Sequence, residues 1–359
     1  KYILFAGGIG TRMWPASRVK HPKQFNEVVD GKSSLELMFD HLASRTSADD
    51  IYVSTNHAYV EMVEKLLPTL PKDHLFSEPA MRDLGPAVGY VIGILNKVSP
   101  NEPVAILWAD DLIKKRASFH KILNMAENYS RLHPNQFIYI GAKPLFVDQN
   151  KGWIKYGNAI THQNGISMYE FVDWHYRPPL EIAQSYFQDG VHAINTGFFV
   201  TTPSFVMSLY EKFAPDMNSQ IQRLIETWQT AEHEQVINEV YPNLEKISFD
   251  DLIVAKTSPQ DGVVMVADFG WYGFGDWEAI KTALQDTPTD VVTHGNVYSV
   301  DSKDCLVYSY TDQLVTPIGL QGMVVVVTPD AVMVCPQSEI PQVKKMLKNF
   351  AGTELEKYT

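Results

Sequence analysis

Over the first 108 residues, short apolar runs alternate with amphipathic stretches, and this restricts the architecture more than any other feature of the sequence. Residues 2–6 read as a buried strand that runs straight into glycines. Residues 34–42 place Leu35, Leu37, Met38, Phe39 and Leu42 at a near-helical spacing behind a serine suited to capping. A second strand follows at 50–54, an amphipathic helix at 57–67 ending before Pro68, and a short strand at 74–77. A helix at 85–96 has Pro86 near its start, where a fixed φ is tolerated, and a further apolar strand occupies 103–108. Short strands separated by helical patterns of roughly 10–15 residues imply parallel pairing through βαβ crossovers. The expected fold class is therefore α/β, with a mixed or parallel sheet.

The pattern continues less regularly, with strands expected at 137–141 and 193–200 and helices at 205–213 and 218–230. Beyond about Pro288 the texture changes to short β runs at 297–300, 305–310, 323–328 and 332–335, then a terminal amphipathic helix at 340–350. Two domains are expected, 1–287 and 288–359, which suits a chain of 359 residues.

Composition excludes several classes. Apolar residues make up 45% and charged residues 20%, an ordinary globular balance. No apolar run approaches the ~20 residues of a membrane span, and the first residues do not read as a signal peptide. Two cysteines, Cys305 and Cys335, do not suggest a disulfide framework, so a reducing, cytoplasmic setting is expected. A net charge of −12 argues against a nucleic-acid partner, but not against a nucleotide substrate, which needs only a few local cations.

Chemistry is expected first at Gly7-Gly8-Ile9-Gly10-Thr11-Arg12. Glycines directly after a strand let a turn aim backbone N–H groups at phosphate oxygens, although such loops are often only tight turns. Two standard phosphate motifs fail here. GxGxxG would need a glycine at Met13, and the P-loop ending at Gly31-Lys32-Ser33 would need one at Asn26. The segment that follows interleaves Arg12, Arg18 and Lys23 with Pro15 and Pro22. Cations on a stiffened loop suit a polyphosphate.

Residues 5–18, Phe-Ala-Gly-Gly-Ile-Gly-Thr-Arg-Met-Trp-Pro-Ala-Ser-Arg, together with Pro22-Lys23-Gln24-Phe25, resemble the signature loop of sugar-phosphate nucleotidyltransferases. The Trp-Pro and Pro-Lys-Gln-Phe details resemble the mannose-1-phosphate guanylyltransferase branch. Further likenesses follow in order: residues 78–87, Trp108-Ala109-Asp110, 141–144, 195–199, 247–250, 268–271 and 324–344.

The resemblance implies a Rossmann-like mixed sheet of the GT-A-like type, followed by a small β-rich domain resembling a left-handed β-helix. It implies transfer of a guanylyl group from GTP to mannose 1-phosphate with Mg²⁺, and a homodimer. By the same resemblance Arg12 and Lys23 are catalytic, and Ala6, Gly7, Gly8, Gly10, Thr11, Glu78, Arg82, Pro86 and Asp110 bind the nucleotide. Gly152, Asp173 and Asn195 face the sugar, and Asp110 with Asp268 holds the metal. Simpler readings make Asn195 a turn residue and Glu78 with Arg82 a surface ion pair.

The chain departs from the family pattern at four places. Ala109-Asp110-Asp111 stands where Ala-Asp-His is usual, and Ala255 replaces a glutamate before Lys256. Asp173-Trp174-His175 replaces Glu-Lys-Pro, setting an indole where a sugar-phosphate cation is expected. Gly273 takes the place of a metal-binding aspartate. Asp268, Asp276 and Asp111 are candidates for the missing carboxylate, and His175 or Lys155 for the cation. These departures leave open a paralogue that binds without turnover, or a transferase for another sugar 1-phosphate.

Overall fold

The computed structural model describes residues 1–359. Its contacts divide the chain into two compact units. The first comprises residues 1–7, 39–108 and 113–271, and the second residues 8–38, 109–112 and 272–359. The grouping differs from a cut at residue 287. The loop 8–38 and the stretch 272–287 share one apolar cluster with the C-terminal strands, in which Met13, Trp14, Trp277, Ile280, Leu306 and Val326 are all buried.

The first unit is built on a nine-stranded sheet. Tyr2–Phe5 is buried along its whole length and pairs in parallel with Ile51–Asn56 on one side and Val104–Trp108 on the other. Leu75–Glu78 extends this parallel group, as the alternating pattern implies. Beyond Val104–Trp108 the strand His192–Thr201 runs antiparallel, so the sheet is mixed. Gly152–Gln163 and Ile166–Tyr176 form a long antiparallel hairpin at the far edge that strand spacing did not lead us to expect. Its turn is Asn164-Gly165, both at positive φ, the pairing that a two-residue hairpin favours.

Helix positions follow the apolar periodicity with shifts of one to three residues at their ends, as in Leu84–Val98, Pro203–Phe213 and Pro215–Thr227. The stretch 57–67 divides into a short 3₁₀ turn, His57–Tyr59, and the helix Val60–Leu66. No helix of the chain is long and apolar enough to cross a membrane.

In the second unit Val291–His294, Cys305–Ser309 and Met323–Val327 pair in parallel, and Val332–Pro336 returns antiparallel at the edge. Residues 297–300 form only isolated parallel bridges, Val297 with Val315 and Val300 with Ile318. These bridges and the Leu306–Val324 pair all join residues 18 apart in sequence, the register of a coiled β architecture. Both cysteines are free thiols.

Gly85, at the start of the Leu84–Val98 helix, shows how tightly the first unit is closed. A Cβ there would lie 2.7 Å from the backbone oxygen of Ile247, which accepts a hydrogen bond from the Gly85 N–H at 2.9 Å. Backbone cannot step aside as a side-chain tip can. Gly85→Ala is therefore expected to lose about 1–3 kcal/mol through overpacking, more than the ~1 kcal/mol that alanine gains in a helix. Thermal unfolding should show a lower midpoint; an unchanged or higher one means that the 247 segment yields.

Candidate active site

In the second unit the glycine loop is held from several directions. Gly10 adopts φ +74° and opens the turn Thr11–Met13. A Cβ on Gly10 would fall inside the Lys23 side-chain stem, so a glycine is needed for both backbone and space. Gly8, by contrast, has nothing near its missing Cβ, and Thr11 is exposed. The Trp277 indole N–H donates to the Trp14 carbonyl at 3.0 Å, and the Trp14 indole N–H to the Tyr358 carbonyl at 2.7 Å.

The Lys23 ammonium donates to the Asp110 carboxylate and, at 3.0 Å, to the Phe274 carbonyl, while the Phe274 N–H donates to the Asp110 carbonyl at 2.9 Å. The Arg12 guanidinium donates to Asp276 at 2.9 Å. The other Asp276 oxygen accepts from the Ala279 N–H and caps the helix Trp277–Leu284. Two cations and two carboxylates therefore stand together in one unit, on segments distant in sequence. No group of three or more metal-ligating side chains is present.

The remaining candidates belong to the first unit. The Ala6 N–H donates to the Ser54 carbonyl at 2.7 Å, and the Ala6 carbonyl accepts from Thr55 Oγ1 at 2.8 Å. Gly7, like Gly8, has open space where a Cβ would be. Glu78 is buried, with Ser54 Oγ donating to one oxygen at 2.9 Å and the Tyr241 hydroxyl to the other at 2.7 Å. Burial pushes its pKa up to about 7 against the downward pull of those two bonds. Arg82 donates through Nη2 to the Pro242 carbonyl, and its buried Nε has no partner. The surface ion pair expected as the simpler reading is therefore absent: both residues tie their segment to 241–242. Asp83 accepts from the Leu84 N–H at 2.8 Å as the helix cap, and Pro86 is buried in the first turn, where no N–H is required.

On the sheet's far side Gly152 pairs with Asn195 across neighbouring strands, and Trp174 closes over them. Asn195 Oδ1 accepts from the Gly197 N–H at 3.0 Å, so Asn195 does serve a turn while its amide nitrogen stays beside Gly152. Asp173 is exposed, and its Oδ1 accepts from the Trp174 N–H at 2.8 Å. Adjacent strand residues point to opposite faces, so Asp173 and His175 leave from the face opposite Trp174, where His175 stacks on Tyr186. Asp268 is also exposed and pairs with Lys115, whose ammonium holds its carboxyl below the usual carboxylate range.

Sequence reading missed Ser54 and Tyr241, which lie 24 and 163 residues from Glu78, separations that no local pattern reports. Asp276 carried a local signal as a cap before Trp277-Glu278, but its pairing with Arg12 did not.

Residues 1–290 match the nucleotidyl transferase family model, and residues 295–350 match a mannoseP isomerase/GMP-like beta-helix domain. The chain belongs to the nucleotidyl transferase family. It is similar to the mannose-1-phosphate guanylyltransferase of Salmonella montevideo, 28% identical over 357 residues that cover 97% of this chain and 73% of that relative. The protein of that name from Escherichia coli K12 is 26% identical over 353 residues, with 97% and 73% covered. A Thermus thermophilus protein, whose crystal structure is described as that of a mannose-1-phosphate geranyltransferase, shares the fold. Its TM-score is 0.85 at 24% identity, covering 97% of this chain and 98% of that one. The chain is a nucleotidyltransferase with a C-terminal β-helix domain.

The buried carboxyl gives a pH-dependent expectation. With Glu78 at about 7 when folded and an ordinary value near 4.5 when unfolded, its contribution is complete below 4.5 and is lost as pH rises to 7. Glu78→Gln removes this loss. Its unfolding free energy relative to the parent chain should shift in its favour by about 3 kcal/mol between pH 4 and pH 8. Denaturant titrations at several pH values read this directly, and parallel profiles would count against it.

Proposed function

We propose that the chain is a mannose-1-phosphate guanylyltransferase, converting GTP and mannose 1-phosphate to GDP-mannose and pyrophosphate. The observation that carries this reading is the Lys23–Asp110 pair at the end of the glycine loop, with Arg12 in the same unit. The names of the relatives support the substrates. A phosphate oxygen of the sugar attacks the α-phosphorus in line and forms the new P–O bond. The bond from that phosphorus to the bridging oxygen breaks, and pyrophosphate leaves with the electron pair. Proteins catalyse such transfers mainly by positioning and charge neutralisation.

Lys23 and Arg12 supply the charge neutralisation. A triphosphate carries more negative charge than one carboxylate and competes for both cations. Lys23 then turns from Asp110 to phosphate, and Arg12 from Asp276. Asp110 would hold Mg²⁺ as a hard oxygen donor of the kind that ion takes, and one or two protein carboxylates suffice beside phosphates and water. Asp276 belongs to the same unit as Asp110, whereas Asp268, the second metal ligand expected from the sequence, belongs to the other and is held by Lys115. When bound, Mg²⁺ supplies charge neutralisation to the polyphosphate.

A cytoplasmic setting and a homodimer belong to the same proposal. Support for the dimer comes from the edge strand Val332–Pro336, where Val332 and Val334 are exposed while Met333 points inward. Sedimentation of a monomer at micromolar concentration would reject the dimer.

Purified protein with Mg²⁺, GTP and mannose 1-phosphate is expected to release pyrophosphate, and Asp110→Asn to lower the rate about 100-fold or more. Gly273, where the family pattern has a carboxylate, favours the second reading, a paralogue that binds without turnover. Saturable GTP binding with no pyrophosphate release would establish that reading instead.

A further inference from the structure

The turn Thr11–Met13, which carries Arg12, has little of its own to hold it. Gly10 gives it no side-chain cap, and its backbone bonds are local, Met13 N–H to the Gly10 carbonyl at 3.0 Å and Trp14 N–H to the Thr11 carbonyl at 3.3 Å. Hydrogen bonds in a single 3₁₀ turn are poorly aligned, so the place of this turn in the second unit is set from outside it.

Trp14, the buried residue that ends the turn, makes the attachment on two sides. Its carbonyl accepts from the Trp277 indole N–H at 3.0 Å. Trp277 begins the helix that Asp276 caps, and Asp276 is the counter-ion of Arg12. Arg12, Asp276, Trp277 and Trp14 therefore form a closed ring of ties. The Trp14 side chain turns the other way, to residues 342–358. Its indole N–H donates to the Tyr358 carbonyl at 2.7 Å, and its ring meets Phe350 edge-on, with centroids 6.1 Å apart.

That segment is lightly held. In the helix Gln342–Phe350 only Val343 is buried, while Met346, Leu347 and Phe350 lie partly buried against the cluster that contains Trp14. Lys344, Lys345 and Lys348 face solvent, and residues 351–357 are exposed throughout. Tyr358 brings the chain back to the loop: its ring lies 6.0 Å from the Arg18 guanidinium, which Asp330 grips at 2.6 and 2.7 Å. Elements with few buried contacts open at low free energy. The placement of Arg12 thus depends on an element of low local stability.

We propose that Trp14 is a positioning residue for polyphosphate binding. It joins the Arg12 turn to residues 342–358, so that docking of this segment and binding of a polyphosphate favour one another, an effect that linkage makes reciprocal. The inference rests on the guanylyltransferase reading only in taking the polyphosphate to be that of GTP.

Two measurements on the full chain test it, with inorganic tripolyphosphate as the probe. Saturating tripolyphosphate should slow tryptic cleavage after Lys344, Lys345 and Lys348 severalfold. Trp14→Phe keeps a ring and removes the N–H that Tyr358 accepts. In calorimetric titration it should bind tripolyphosphate and GTP about tenfold more weakly, equivalent to about 1.4 kcal/mol, and it should lose the protection from trypsin. In turnover, KM for GTP should rise about tenfold while KM for mannose 1-phosphate stays the same. In an Arg12→Ala chain the same substitution should cost less than twofold, because residues acting through one another do not add.

Phe350→Ala, at the more exposed side of the contact, should weaken tripolyphosphate in the same Arg12-dependent way and replaces Trp14→Phe if that variant unfolds early. An equal loss with and without Arg12, or a matching rise in both KM values, would make Trp14 merely structural and overturn the proposal. Cleavage that tripolyphosphate leaves unchanged would overturn it as well. If the parent chain binds tripolyphosphate but not GTP, the guanylyltransferase reading fails and the positioning role stands. If it releases pyrophosphate but the two substitutions add in full, only the inference falls.

Discussion

A single ammonium group touches all three stretches of the second unit. That unit is assembled from residues 8–38, 109–112 and 272–359, and Lys23 reaches from the first stretch to both others, through the Asp110 carboxylate and the Phe274 carbonyl. Its side chain is only 12% exposed, so water screens the pair less than it would at a free surface. The stem can run there because Gly10 has no side chain. The glycine loop and the lysine are in this sense one device. Arg12 repeats the arrangement with Asp276, a residue that also caps a helix. Both cations are therefore held by counter-charges within the unit, from which a polyphosphate must draw them.

Much of this was legible in the chain itself. The parallel core follows from the alternation of short buried strands with amphipathic helices, and Tyr2–Phe5, Ile51–Asn56 and Val104–Trp108 pair as that alternation requires. Arg12, Lys23 and Asp110 stood out by charge and context, and the structure brings Lys23 and Asp110 into contact. The long hairpin carried a readable signal in Asn164-Gly165, but its strands mix polar and apolar residues so evenly that no apolar run marked them. The regrouping of residues 8–38 with the C-terminal strands had no local signal at all, because it depends on Trp14 and Trp277 packing 263 residues apart.

Glu78 and Arg82 carry ties within the fold that the sequence did not report. The resemblance assigned them to the nucleotide. In the fold, both Glu78 oxygens and one Arg82 nitrogen are occupied by residues 54, 241 and 242. These bonds anchor the segment that carries Asp83, held at φ +65°, a backbone state that surrounding contacts must impose. Trp174 is the converse case: it looked like the loss of a charged residue, and it places an unsatisfied donor beside Gly152.

The 18-residue register of the C-terminal coil bears on how this protein can change over time. Within a stacked coil, inward and outward positions are assigned by counting from one rung to the next. Losing a single residue within Met323–Val327 would exchange the valines that face its two apolar clusters, Val324 and Val326 on one side and Val325 and Val327 on the other. Substitutions can accumulate there one at a time, but length can change only in whole rungs or at the corners. The glycine loop and the coil thus age by different rules, one constrained in chemistry and the other in arithmetic.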